Sequence, residues 1–178
     1  MRDLNRDREF ERWLKTHAAA LSRLAASYES RPALREELLQ DIAFALWRAL
    51  PSFRGESSER TFVMRIATNR ELSHLATRRS LKGSHPLTDD LVTGSVPIKE
   101  IADPAPRPDE MAARMQTARR LQEAVRELPL PLRQVLVLAF EGLSHEDIAR
   151  VLGLTAGNVA VRLHRGKGLL RRALGEST

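Results

Sequence analysis

The sequence predicts an all-α protein made of two small helical domains joined by a flexible linker, with a helix-turn-helix in the second domain. Apolar residues recur at three- and four-residue spacings, and no alternating pattern persists. Only 4% of the 178 residues are aromatic, which disfavours a β-sandwich. Prolines and glycines concentrate in the middle of the chain. These observations divide the chain into residues 1–80, a linker at 81–109 and residues 110–178.

Seven helices are predicted, three in the first domain and four in the second. Proline is tolerated in the first turn of a helix and stops one elsewhere, so Pro32 fits a helix start and Pro51 ends that helix. The first domain has helices near Arg6–Ser27, Pro32–Leu50 and Glu59–Arg79. The second has helices near Glu110–Glu127, Pro131–Glu141, Ser144–Leu152 and Thr155–Leu174.

The charge of the chain points to an acidic partner. Lys and Arg number 29 against 23 Asp and Glu, which gives a formal charge of +6. Residues 1–80 and 119–178 each carry +4, whereas residues 81–118 carry −2. Nucleic acid is therefore the first partner to consider, ahead of a membrane surface.

Several kinds of chemistry are not expected. Without cysteine there is no disulfide, no thiolate catalysis and no Cys-containing zinc site. The five histidines lack metal-ligand spacing, and neither a phosphate-binding glycine loop nor a nucleophile elbow is present. No export signal or membrane-length apolar run is found. We therefore expect a cytoplasmic protein that is not an enzyme and uses no metal or cofactor.

The strongest local motif is a helix-turn-helix near the C-terminus. Ser144 and Thr155 are suited to capping its two helices, and Gly153 can adopt the positive φ of the turn between them. From Thr155 to Leu174 there are five basic residues and no acidic one, which suits a recognition helix in the DNA major groove. The alternative is a basic, solvated helix in an unrelated bundle.

Both domains resemble one family. In the first domain, EELLQDIAFALWRAL and FRGESSERTFVMRIATNRELSHLATRR resemble the polymerase-binding and promoter-melting part of bacterial RNA polymerase sigma factors, in the extracytoplasmic-function (ECF) group of the sigma-70 family. In the second, ELPLPLRQVLVLAFEGLSHEDIARVLGLTAGNVAVRLHRGKGLLRRAL resembles the domain of that group that binds the upstream promoter element. The order of the two stretches and the linker length also agree with the family.

The resemblance implies a sigma factor that binds core RNA polymerase, directs it to specific promoters and helps to melt the −10 element. Residues 1–80 would be a region 2-like domain for polymerase binding and −10 recognition, and residues 110–178 a region 4-like domain for the −35 element. The implied partners are core RNA polymerase and promoter DNA, both duplex and single-stranded. Family members are often held inactive by an anti-sigma factor, which makes such a protein a further candidate partner. No membrane insertion is implied.

The family motifs assign site residues to three surfaces. The implied polymerase-binding residues are Glu37, Gln40, Asp41, Phe44 and Trp47. Those implied to hold the single strand of the −10 element are Arg60, Phe62, Arg65, Asn69 and Arg70. Those implied to bind the −35 element are Thr155, Asn158, Ala160, Val161, Arg162, Arg165 and Lys167.

The sequence departs from the family pattern at several of these positions. Phe62 stands where the family usually has Trp, which keeps an aromatic surface but loses the indole donor. Ser73 and Ala76 replace a common Asp and Arg. Ala160 and Val161 replace a basic residue and Ser, so we expect more apolar contact with the upstream element, for instance with thymine methyl groups.

Other functions remain open at this stage. The chain could be a free-standing helix-turn-helix transcriptional regulator that does not bind polymerase, or a protein-interaction module whose basic charge is incidental. Gln40 and Asp41 also fit an ordinary solvated helix face, Phe44 and Trp47 fit core positions, and Asn69 fits a simple exposed amide.

Overall fold

Seven α-helices and one short 3-10 helix make up the regular structure that the computed structural model describes, which covers residues 2–82 and 108–175. No strand occurs within these two ranges, and the all-α prediction is confirmed. The helices are α1 Arg2–Tyr28, α2 Pro32–Ala49, α3 Glu59–Lys82, α4 Pro108–Glu127, α5 Leu130–Phe140, α6 His145–Leu152 and α7 Ala156–Ala173. The 3-10 helix is Leu50–Ser52.

The helix boundaries follow the local signals, with differences at the longer helices. Helix α1 begins at Arg2 rather than Arg6, and α3 continues to Lys82 because no proline or glycine precedes Gly83. Helix α4 begins at Pro108, a residue that is tolerated in a first turn. Residues 81–82 and 108–109 of the predicted linker therefore belong to α3 and α4. The rest of it lies outside the described residues.

Helices α1, α2 and α3 bury the core of the first domain. Trp13 and Leu24 of α1, Ile42 and Leu46 of α2 and Met64 of α3 are each at most 1% exposed. Ile42 and Leu46 lie on one face of α2, because residues four apart in a helix share a face. The residues on the opposite face of α2 therefore point away from α1 and α3. The packing thus determines which side of α2 remains available to a partner.

Helices α5 and α7 of the second domain approach each other closely at Gly166. A Cβ atom on Gly166 would lie 2.6 Å from Cδ1 of Leu136, which is too close for two carbon atoms. A Cβ atom on Gly168 would lie in open space. Glycine costs a helix about 1 kcal/mol relative to alanine, but at Gly166 the close packing requires it.

The buried apolar residues of the two domains form one cluster, and polar contacts also join the domains. Arg23 of α1 donates two hydrogen bonds of 2.7 Å to the carboxylate of Glu141, the residue after α5. Arg60 lies 3.7 Å from the same carboxylate. The Thr61 hydroxyl of α3 donates a hydrogen bond of 3.0 Å to Asp147 of α6. These contacts join the start of α3 to the start of the helix-turn-helix.

Candidate polymerase and nucleic-acid interfaces

One side of α2 presents a mixed polar and aromatic surface, which we call the α2 face. Its residues are all exposed and follow each other at three- or four-residue spacing; they are Glu37, Gln40, Asp41, Phe44 and Trp47. The opposite side carries Leu38 and Ile42, neither of which is exposed. The structure therefore brings together all five residues that the family resemblance assigned to polymerase binding.

Phe44 and Trp47 stand out on the α2 face. Their side chains are 60% and 36% exposed, and the rings stack with their centroids 6.4 Å apart. Phe44 and Trp47 are therefore not core residues, and the alternative that assigned both to the core is wrong. Two neighbouring, exposed large aromatic rings are typical of a protein interaction site.

Basic residues surround the two rings. Arg6 of α1 lies over Trp47, with 3.8 Å between the guanidinium carbon and the ring centroid. The indole nitrogen of Trp47 donates a long hydrogen bond of 3.4 Å to Asp7. Arg48 lies 5.8 Å from the centre of Phe44. The start of α1 thus belongs to this surface, which the sequence does not predict because Arg6 and Trp47 are far apart in the chain.

Helix α3 carries the residues assigned to the single strand, and most of them are accessible. Arg65, Asn69 and Arg70 are exposed. Arg60 is also exposed, but its guanidinium is within ion-pair distance of Glu141. The cationic and amide groups expected for single-stranded DNA thus lie on one helix.

Phe62 differs from the expectation of an open aromatic surface. It is only 6% exposed and packs edge-to-face against Trp13 and Phe53, with ring centroids 5.8 and 5.0 Å away. The interpretation of Phe62 as an open aromatic surface is corrected, because its position in the first turn of α3 directs the ring into the core beside α1. Arg65 lies over this ring at 5.3 Å.

A polar cleft of about 210 Å³ opens beside this aromatic cluster. Its walls include Phe62 and Arg65 of α3 and Arg54 of the preceding loop. Gly55 allows that loop to turn, since its φ is +74°. Arg150 of α6 forms another part of the wall. The sequence does not predict this cleft, because the cleft combines residues from both domains.

The helix-turn-helix has the predicted caps and turn. The Ser144 hydroxyl accepts a hydrogen bond of 3.1 Å from the backbone N–H of Asp147, and the Thr155 hydroxyl accepts one of 3.2 Å from that of Asn158. Gly153 adopts a φ of +66° between the helices. The capping and turn predictions are confirmed.

Asp147 has a second role that the sequence did not predict. Besides Ser144, it accepts the hydrogen bond from Thr61 and lies 3.2 Å from Arg150. The Ser144 hydroxyl makes the largest contribution to lowering the pKa of Asp147, with help from Thr61 and Arg150 and against partial burial. The carboxylate is thus ionised at neutral pH and well supplied with donors.

Helix α7 exposes the residues expected to meet the upstream element. The exposed ones are Thr155, Asn158, Ala160, Val161, Arg165 and Lys167, and Arg162 is half-buried. Val159 and Leu163 face the core instead. Val161 is 53% exposed on the same side of the helix as Arg165. This face is therefore free to contact another molecule.

Two acidic residues that the sequence does not single out are buried: Glu71 within α3 and Glu29 directly after α1. Glu71 is fully buried, and neither carboxyl oxygen has a hydrogen-bond partner among the described residues. Burial raises the pKa of Glu71 well above its usual value. Glu29, also buried, has the basic partners Arg31, His74 and Arg78. No sequence pattern reveals such burial.

The described residues contain no cluster of His, Asp or Glu side chains that could hold a metal ion. Within the same part of the chain, no helix is both long and apolar enough to cross a membrane.

Two family models match separate parts of the chain. The family model for sigma-70 region 2 matches residues 13–81, and that for sigma-70 region 4 matches residues 118–170. The sigma-H factor of Pseudomonas aeruginosa is 31% identical over 147 residues, covering 78% of this chain and 72% of that protein. Sigma factor CnrH of Cupriavidus metallidurans is 31% identical over 172 residues, covering 94% and 87%.

Solved structures show the same fold. CnrH in complex with the cytosolic domain of CnrY is similar with a TM-score of 0.65 and 25% identity, covering 97% of this chain and 91% of that one. Sigma factor RpoE of Bartonella quintana, solved in complex with the anti-sigma factor NepR, has a TM-score of 0.74 and 22% identity, covering 96% and 99%.

The first domain carries an exposed aromatic face, and the second carries a helix-turn-helix. This combination defines a DNA-binding transcription protein with two separate interaction surfaces. The chain belongs to the ECF group of the sigma-70 family. It is a sigma factor, which binds core RNA polymerase and directs it to promoter DNA. The free-standing regulator is not favoured, because the region 2 match covers the first domain. The family is not a class of enzymes.

Proposed function

We propose that the two domains divide the work of promoter recognition. Residues 1–80 bind core polymerase and the −10 element, and residues 110–178 bind the −35 element, with residues 81–109 as the tether between them. The observation that carries this division is the exposure of two separate surfaces, the α2 face and the outer face of α7. Each has a different chemistry and therefore a different partner.

The α2 face docks on polymerase. Phe44 and Trp47 provide apolar contact area, and Gln40 and Asp41 next to them provide directional polar contacts. Interfaces of this composition concentrate their binding energy in a few aromatic residues surrounded by polar ones. An acidic residue in a basic protein also selects a basic partner surface over DNA.

Helix α3 captures the displaced strand during melting. Arg65 and Arg70 hold the phosphates, and the Asn69 amide contacts the edge of an extruded base. Phe62 contributes through the part of its ring that lines the cleft.

Helix α7 reads the upstream duplex. Thr155 and Asn158 at its start and Arg165 further along contact phosphates and base edges, and Lys167 adds a phosphate contact. Ala160 and Val161 contact apolar groups of the major groove, and Arg162 supports them from the side of the helix.

The protein acts in the cytoplasm and has no enzymatic activity of its own, since RNA synthesis is the task of the polymerase. We also propose an anti-sigma partner. Two structural neighbours support this proposal: CnrH was solved with the cytosolic domain of CnrY, and RpoE with the anti-sigma factor NepR.

Promoter-selective transcription with purified chain and core polymerase tests the proposal. The chain is mixed with core enzyme and a fragmented genomic library, and transcripts that depend on the chain identify its promoters. We expect the Gln40→Lys/Asp41→Lys double variant to lose core binding in a pull-down, because it reverses the charge of the α2 face. Glu123→Lys, an exposed change on α4, serves as the control. Unchanged core binding by the double variant would contradict the assignment of the α2 face.

A further inference from the structure

We propose that Val161 selects one base pair of the upstream element by contact with the C5-methyl group of thymine. This inference rests on the proposed role of α7, and it names the group that the centre of its outer face reads. Thymine is then required opposite Val161 for its methyl group, and a cytosine methylated at C5 would be read in the same way. The packing of α7 and the chemistry of the valine side chain carry the inference.

The packing of α7 directs Val161 away from the core. Val159 and Leu163, two residues before and two residues after it, are both buried. Two residues correspond to a rotation of about 200° around a helix, so Val161 lies on the opposite side from both. Asn158 and Arg165, three residues before and four after Val161, are exposed on its side. Val161 therefore lies at the centre of the outer face of α7.

The rotation of α7 about its own axis is fixed by its contact with α5. Gly166 is buried against Leu136, where a Cβ atom would come within 2.6 Å of Cδ1. A rotated α7 would have to place a larger side chain in this space. The outward direction of Val161 is therefore a property of the folded domain.

Val161 also lies in the part of α7 that reaches base edges. The helix begins at Ala156, which places Val161 in its second turn. The Thr155 hydroxyl fixes the start of the helix by accepting a hydrogen bond from the backbone N–H of Asn158. The N-terminal residues of a recognition helix are those that contact base edges in the major groove. Val161 therefore faces bases rather than phosphates.

A valine side chain can recognise only an apolar group, because it has no hydrogen-bond donor or acceptor. The thymine methyl is the only apolar group that the four base pairs present in the major groove. Cytosine presents an amino group instead, which would lose water against Val161 without gaining a partner. Ala160 is also exposed, but it carries one methyl group and lies about 100° away around the helix. Thymine specificity therefore belongs to Val161 rather than to Ala160.

The basic residues of α7 provide affinity that does not depend on Val161. Arg165 and Lys167 are exposed, and a contact between such a residue and a phosphate weakens as the salt concentration rises. A methyl contact releases no counterion. The preference for thymine should therefore have the same size at low and at high salt, which distinguishes the contact of Val161 from a displaced contact of Arg165.

Single methyl groups in the DNA test this inference. Fluorescence anisotropy measures binding of the full chain to the upstream duplex of a promoter identified by transcription. Each thymine is replaced in turn by uracil, which lacks only the C5-methyl group. Val161→Ser removes both methyl groups of the side chain, and the fold is expected to persist because serine and valine have similar helix propensities. Leu174→Ala, which shortens an exposed apolar side chain directly after α7, is the control.

We expect uracil at one thymine to weaken binding of the wild type and of Leu174→Ala by about fourfold, the effect of one buried methyl group, at about 50 and about 200 mM salt. Val161→Ser should bind the thymine and uracil duplexes equally. The inference is overturned if no uracil replacement weakens binding, or if Val161→Ser shows the same uracil effect as the wild type. A wild type that does not prefer the upstream duplex to a scrambled one would contradict the proposed role of α7 itself, and the inference with it.

Cytosine methylation gives a second test at the same base pair. The thymine identified by uracil replacement is changed to cytosine or to 5-methylcytosine, each paired with guanine. We expect the wild type to bind the methylated duplex about fourfold more tightly than the unmethylated one, and Val161→Ser to bind both equally. Equal binding of the two duplexes by the wild type would contradict a direct methyl contact.

Discussion

The guanidinium of Arg6 lies 3.8 Å from the centroid of the Trp47 ring and donates a hydrogen bond of 2.7 Å to the Trp47 backbone carbonyl. Arg6 therefore fixes Trp47 from the start of α1 while leaving 36% of the residue exposed. A ring that is already ordered loses less conformational entropy when a partner covers it. The α2 face is thus prepared for binding by a residue from another helix.

Replacement of Trp47 by Ala is expected to weaken binding to core polymerase by about 2 kcal/mol, because exposed aromatic residues of this kind are frequent hot spots. Phe44→Ala is expected to act in the same direction. Surface plasmon resonance with immobilised core enzyme measures both. Leu174→Ala removes a similarly exposed apolar side chain at the end of α7 and is the control. Equal affinity of all three variants would show that the aromatic pair is not the docking site.

Asn69→Ala is expected to reduce the yield of open complexes without weakening duplex binding upstream. The Asn69 side chain is exposed on α3, where an amide can contact the edge of an unpaired base. Permanganate footprinting of the melted promoter gives the yield. Gln116→Ala removes an exposed amide from α4 and should leave the yield unchanged. An open-complex yield equal to that of the wild type would argue against base contact by Asn69.

Arg165→Ala is expected to weaken binding to the upstream element by about 1 to 3 kcal/mol and to relax the preference at one base pair, as loss of a bidentate base contact does. Binding to a panel of duplexes with single base-pair changes measures both effects. Arg171→Ala, near the C-terminal end of α7, is the comparison. A uniform loss across the panel would instead identify Arg165 as a phosphate contact.

Two alanine substitutions in α7 are expected to have opposite effects on stability. Gly166→Ala places a methyl group against Leu136 and should destabilise the second domain by about 1 to 3 kcal/mol. Gly168→Ala meets open space and should stabilise the helix by about 0.5 to 1 kcal/mol. Urea unfolding followed by circular dichroism gives both values. Similar effects of the two changes would contradict the close approach of α5 and α7.

Glu71→Gln is expected to change the pH dependence of stability. Because burial raises the pKa of Glu71 in the folded chain, that chain retains a proton which the unfolded chain releases near pH 4.5. Stability therefore falls as the pH rises from 4.5 through the folded-state pKa. The glutamine variant, which cannot ionise, should lose this part of the pH dependence.

Urea unfolding at about pH 5 and about pH 8 compares Glu71→Gln with the wild type. The exposed change Glu146→Gln is the control, and its pH dependence should match that of the wild type. A wild-type chain whose stability difference between the two pH values equals that of Glu71→Gln would contradict a neutral carboxyl at this position.

The parts of the molecule that depend on local signals could be predicted from the sequence. The structure has the predicted caps at Ser144 and Thr155 and the predicted turn at Gly153. Each of these features depends only on residues a few positions away in the chain. The exposure of Asp41 and Phe44 follows from helical spacing once Ile42 is placed in the core.

The remaining features depend on which helices meet. Phe62 is buried because Trp13 lies opposite it, and Gly166 is needed because Leu136 is close. Arg150 reaches the cleft only through the packing of α6 on α3. None of these relationships has a periodic signal in a single sequence, since each joins residues far apart in the chain.

Asp147 belongs both to the cap of the helix-turn-helix and to the hydrogen bond with α3. The cap of the helix-turn-helix and its contact with the first domain therefore depend on the same residue. A chimaera that receives this helix-turn-helix but lacks a hydroxyl where Thr61 stands would keep the recognition helix and lose one hydrogen bond between the two domains. Exchange of DNA-binding modules between sigma factors is thus also an exchange of the contacts that hold the two domains together.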